Sequence, residues 1–123
     1  MSIEALKLRF KKFAINNAIF IQNLPKNPIN IPYCNQFIRS SSSTGANYRA
    51  ACRAKSPADF INKLKIVEEE LDESVYFLEL LDYFRSESAT ENEMIRKEAD
   101  ELLAITVQSI KTARAKLNQS KKQ

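Results

Sequence analysis

Residues 40–52 read SSSSTGANYRAAC, four serines and a threonine leading into the only glycine of the chain. By composition such a stretch is a flexible linker. At a glance it also suggests a phosphate-cradling loop. Its register argues against both. Tyr33, Phe37, Ser40, Thr44, Asn47, Ala51 and Ala54 recur at alternating intervals of four and three, and Cys34, Ile38, Ser41, Gly45, Tyr48 and Cys52 follow on the neighbouring stripe. Neither stripe carries a charge. A linker has no reason to hold Phe37, Ile38 and Tyr48 at helical spacing. A phosphate loop of the P-loop kind needs several glycines and a Gly-Lys-Ser/Thr ending. The spacing therefore predicts a helix over residues 31–54. Gly45 costs such a helix about 1 kcal/mol relative to alanine. Small side chains offset this by letting helices approach closely, and serine hydroxyls bond back to carbonyls one turn earlier. The run is expected to mark a tight helix–helix contact.

Three more helices follow from the same test. Leu6, Phe10, Phe13, Asn17, Phe20 and Leu24 give a core stripe over residues 2–23, stopped by Pro25 and the turn-rich PKNPINIP at 25–32. The third helix is expected over 57–86. Ser56 caps it, Pro57 suits its first position, and Asp59 favours the positive end of its dipole. Its stripe is Phe60, Leu64, Val67, Leu71, Ser74, Leu78 and Leu81, and its end falls near Ser86. The fourth, over 91–117, opens on a capping box of Thr90 and Glu93 and carries Ile95, Ala99, Leu102, Thr106, Ile110, Ala113 and Leu117. The expectation is an all-α chain of one domain, residues 1–123, folded as an antiparallel up-and-down four-helix bundle.

Composition narrows the chemistry. One glycine and four prolines are too few for an all-β sandwich. There is no run of eighteen apolar residues and no signal-peptide pattern, so a cytoplasmic chain without a membrane segment is expected. There is no histidine, which removes Ser-His-Asp and Cys-His catalysis and the usual di-metal bundle site. Cys34 and Cys52 lie eighteen residues apart on one expected helix, roughly 27 Å. A disulfide needs Cα atoms within about 7 Å, so both are read as small buried thiols. No catalytic residue, metal ligand, cofactor or small-molecule substrate is expected.

Charge is distributed unevenly. Residues 13–48 hold two charges, Lys26 and Arg39, whereas residues 49–123 hold 27. Residues 1–55 carry net +8 and residues 56–123 net −4, giving +4 in all. A helix on the outside of a monomeric bundle shows a charged outer face. The middles of helices 1 and 2 show none, and Ile15, Ile19 and Ile21 lie off the core stripe of helix 1. Large exposed apolar patches mark interfaces. Helices 1 and 2 are therefore expected to face another copy of the chain, through Ile15, Ile19, Ser42, Gly45 and Tyr48. Arg39, the only charge in the interior of helix 2, is expected to be buried and to need a carboxylate from Glu68, Glu69, Glu70 or Glu73 of helix 3, in the same chain or the next. The acidic run at 68–73 reads as a solvated face, or as a surface for those arginines; no loop pattern supports a hard-metal site there.

The segment RSSSSTGANYRAACRAKSPADFINKLKIVEEELDESVYFLELL, residues 39–81, resembles the signature region of the 23S rRNA intervening-sequence family. The resemblance covers most of the chain. It implies a four-helix bundle assembled into ring-like homo-oligomers, typically pentamers. Related accessory variability proteins of diversity-generating retroelements bind nucleic acid and a reverse transcriptase. Many members carry Asn-x-x-Glu-Gly late in helix 2. Asn47 matches, but Ala50 and Ala51 stand where Glu and Gly are common, so no role of that glutamate carries over.

The functional expectation is a non-catalytic oligomeric scaffold that binds nucleic acid through Lys7, Arg9, Lys11 and Lys12 of helix 1 and through Arg49, Arg53 and Lys55 at the end of helix 2. Lys7 and Lys11 share a helix face, as do Arg49 and Arg53. No aromatic recognition motif is present, so contact would be to backbone phosphates rather than to sequence. The alternative is an adaptor that binds a partner protein, for instance a nucleic-acid-handling one, without touching nucleic acid itself.

Overall fold

The structure, a computed structural model, describes residues 1–84 and 89–121. It consists of α1 (Ile3–Gln22), α2 (Asn30–Cys52), α3 (Pro57–Tyr83) and α4 (Ala89–Lys121), with no strand among the described residues. The helices touch in chain order and the ring closes by α1 against α4, the sparsest of the four seams. This is a four-helix bundle. No helix among the described residues is long and apolar enough to cross a membrane.

The helix boundaries have local causes. The Ser2 hydroxyl accepts from the Ala5 amide at 3.0 Å and opens α1. Asn27 Oδ1 accepts from the amides of Ile29 and Asn30, at 3.1 and 2.8 Å, which orders the proline-rich turn before α2. Ser56 caps α3 with Pro57 in its first turn, as the sequence indicates. Helix α4 differs from expectation. It begins at Ala89, so Thr90 lies inside the first turn rather than at the cap, and it runs on to Lys121 instead of stopping near 117. The expected end of the third helix at Ser86 lies outside the described residues.

The core stripes fall where the spacing puts them, with shifts at the ends. Leu6, Phe10, Phe13, Asn17 and Phe20 are buried on α1. On α3 the stripe begins with Ile61 and not Phe60, which is half-buried. Leu24 and Cys52 are also half-buried. Ile21, expected to be exposed, packs against the cluster around Phe20, Cys34 and Phe37.

The serine run lies inside a helix, and α2 and α3 share the most extensive contact of the bundle. The Ser40 and Ser74 hydroxyls meet at 3.0 Å across the two helices. Ser74 donates to Glu70 O at 2.7 Å and Thr44 to Ser41 O at 2.8 Å, while the single Ser40 proton has Ser74 Oγ and, at 3.2 Å, Phe37 O as alternative acceptors. These bonds satisfy the buried hydroxyls of Ser40, Thr44 and Ser74, whereas the buried Ser41 hydroxyl has no hydrogen-bond partner. A polar layer results. On each of α1, α2 and α3 a polar residue (Asn17, Ser40 and Ser41, Ser74) stands between members of two separate apolar clusters, one around Phe10, Leu64 and Leu102, the other around Phe37 and Leu78.

Gly45 serves the α1–α2 seam. A Cβ built on it would meet Phe10 Cβ at 3.3 Å, tighter than an ordinary contact. Tyr48 stacks on Phe10 with ring centroids 5.0 Å apart and is 7% exposed. Both residues, expected at a subunit interface, are thus taken up within the protomer. Stripe position alone did not separate contact with the chain's own α1 from contact with another copy.

Candidate nucleic-acid interface

The basic residues of the first 55 positions do not form one patch. Lys7 and Lys11, one turn apart on α1, face Arg49 and Arg53, one turn apart at the end of α2. All four line a groove of about 320 Å³ between the helices. Leu8 forms part of it, and among the described residues Glu4 is its only acid, bound to Lys7 at 3.3 Å. The helical repeat places each pair on one face, and the close approach at Gly45 and Phe10 holds the two helices together.

Arg9 belongs elsewhere. Its Nε donates to Glu98 Oε2 at 2.9 Å and its Nη2 to Glu98 Oε1 at 2.6 Å and Glu101 Oε2 at 2.7 Å. It therefore closes the α1–α4 seam and is not free for phosphate. The Arg9 hydrogen bonds hold the Glu98 carboxyl below its ordinary pKa, against a smaller opposing effect of burial. Lys12 is exposed but does not line the groove, and Lys55 sits at the end of the bundle in a different cavity.

Arg39 pairs with two of the four expected carboxylates, Glu70 at 3.3 Å and Glu73. Its side chain is 47% exposed, so the pair lies on the surface and not in the interior. A surface pair of this kind is worth at most about 1 kcal/mol. The acidic run on α3 is thereby partly committed to its own chain.

Of the expected interface residues, Ile15 and Ile19 are 48% and 51% exposed. On α2, Ser42 is exposed and Ile38 is 38% exposed. Ile19 lines a cleft towards α4 with Glu91, Met94 and Glu98, and none of these four residues lines the basic groove. Among the described residues no group of three or more potential ligands is gathered to hold a metal ion.

The profile of the 23S rRNA-intervening sequence protein family matches residues 6–108, most of the chain. The chain belongs to that family. The intervening-sequence fold is also found in the crystal structure of a protein with unknown function from the S23 ribosomal protein family of Bacteroides thetaiotaomicron. That protein is 32% identical, with a TM-score of 0.82 over 90% of this chain and 99% of the other. No curated protein gives a significant match. For this intervening-sequence protein the sequence located the groove cations but missed the role of Arg9, whose partners lie 89 and 92 positions away.

Proposed function

We propose that this chain is a non-catalytic scaffold that holds nucleic acid by its phosphates in the groove of Lys7, Lys11, Arg49 and Arg53. The observation that carries the reading is the convergence of four cations from two helices on one groove with a single acid. Contact of this kind neutralises phosphates and releases counterions, with little dependence on sequence.

Self-assembly is part of the proposal. Ile15, Ile19 and Ile38 are large apolar side chains left exposed in the protomer, and a second copy would cover them. Five copies are the number the family resemblance implies. A ring repeats the groove in each protomer, and weak contacts along one strand multiply. The test is fluorescence anisotropy with labelled RNA and DNA across a salt series, on protein whose oligomeric state is measured in parallel. Binding that weakens linearly in log salt supports the reading. No binding at about 50 mM salt and micromolar protein by a confirmed oligomer leaves the protein adaptor as the better one. A partner that survives nuclease treatment in a pull-down would favour the same alternative.

A further inference from the structure

A second cavity is distinct from the basic groove. It lies at one end of the bundle, about 870 Å³ in volume, between the start of α1, the α2–α3 connection and the last turns of α4. Its origin is a mismatch of helix length. Helix α4 has 33 residues and α1 has 20, about 50 and 30 Å. Arg9 lies level with Glu98 and Glu101. Ile3 is then level with about residue 106, and the turns that follow project beyond α1 as a shelf. The shelf turns Ala113 and Leu117 toward Ile3, Ala51 and Phe60, and these five are part of the apolar wall. Ile3 and every lining residue after Gln108 fall outside the part of the chain matched by the family.

Its charge is one-sided. Among the described residues Lys55 and Lys116 line it, and no aspartate or glutamate does. The nearby Asp59 is already held by Lys63 Nζ at 2.9 Å and by the Lys55 amide at 3.2 Å. The start of α3 at Ser56 and Pro57 also faces the cavity and adds the positive end of a helix dipole. A volume within the range of small-molecule sites, a mostly apolar wall and a cationic rim together define an occupant.

We propose that this end of the bundle binds a small anionic amphiphile, an acyl carboxylate, with its chain against Phe60, Ala113 and Leu117 and its head at Lys55 and Lys116. The proposal does not depend on nucleic-acid binding, since the basic groove shares no lining residue with the cavity.

The test is calorimetric titration of the full chain with sodium decanoate, decanol and decyltrimethylammonium, each below its micellar concentration. Decanoate is expected to saturate at one site per protomer and to bind at least about ten-fold more tightly than the cation of equal chain length. Lys55→Glu with Lys116→Glu is expected to remove that preference. Ala113→Phe, on the projecting shelf, is expected to abolish binding with unchanged helical content. Equal binding of anion and cation, a non-saturating isotherm, or an unaffected charge-reversed variant would overturn the proposal. So would a fall in oligomer mass on Ala113→Phe, which would make the cavity a contact for a second copy.

Discussion

Replacing Arg9 by alanine tests the reassignment of that residue from ligand contact to structural tie. The guanidinium makes two bonds to Glu98 and one to Glu101, at 2.6 to 2.9 Å. The side chains of Arg9 and Glu98 are 25% and 32% exposed, that of Glu101 53%. Fully exposed pairs give about 0.2–1 kcal/mol, and hydrogen bonds to charged groups about 1.5–3 kcal/mol. A bidentate pair a quarter to a third exposed falls between these, so Arg9→Ala is expected to cost about 1–2 kcal/mol. At the usual unfolding entropy per residue this lowers the melting temperature of a chain this size by roughly 4–8 °C. The assay is urea unfolding at one fixed protomer concentration, because assembly contributes by mass action. A double-mutant cycle with Glu98→Gln isolates the pair, with an expected coupling of about 1 kcal/mol. The pH dependence has a definite sign. Glu98 has a depressed pKa in the fold, so its contribution is complete above the unfolded value near 4.3 and is lost as pH falls through the lower folded value. Arg9→Ala should therefore lose most of its deficit in acid. A coupling below about 0.3 kcal/mol, with a deficit that does not change with pH, would refute the reasoning.

Three further outcomes follow from the packing. Both amide atoms of Asn17 are buried without a hydrogen-bond partner beside a cleft lined by Phe13, Phe20 and Ile95. Asn17→Leu should thus raise stability by about 1–2 kcal/mol in urea unfolding, the unmet groups outweighing overpacking; a loss of 1 kcal/mol or more would contradict this. Gly45→Val should destabilise by about 1–3 kcal/mol by pushing α1 away at Phe10, and a neutral result would show that the seam yields freely. Ser42→Glu or Ile19→Lys should shift the mass in light scattering towards monomer or cause aggregation, and a wild-type monomer at high micromolar concentration would end the assembly proposal.

The fold was legible because its signals are local. The three-four spacing through Phe37, Ser40, Thr44 and Ala51 survives a composition that looks like a linker, and the absence of charge there marks burial. Arg9 was not legible: on a helical wheel it is one of several basic residues, and only the register of α1 against α4 brings Glu98 to it. Gly45 and Tyr48 show the same limit, since charge-free spacing does not say which helix will cover a face. Asn92, buried with its amide donating to Leu78 O at 2.9 Å, lies one turn before the stripe that begins at Ile95 and gave no signal as a tether between α3 and α4. The cavity at the bundle end arises from helix lengths, and α4 outran its expected end because nothing in its polar last turns stops a helix.

The groove itself is tested most directly by comparing salt slopes. Anisotropy of labelled RNA is measured across a salt series for the wild type, for Arg49→Ala with Arg53→Ala, and for Arg9→Ala. Each lost phosphate contact flattens the slope of log K against log salt by about 0.7–0.9. The α2 double variant should flatten it by up to about two units per protomer engaged, and Arg9→Ala should leave it unchanged. An unchanged slope in the double variant, or a flatter one in Arg9→Ala, would contradict the assignment of the groove.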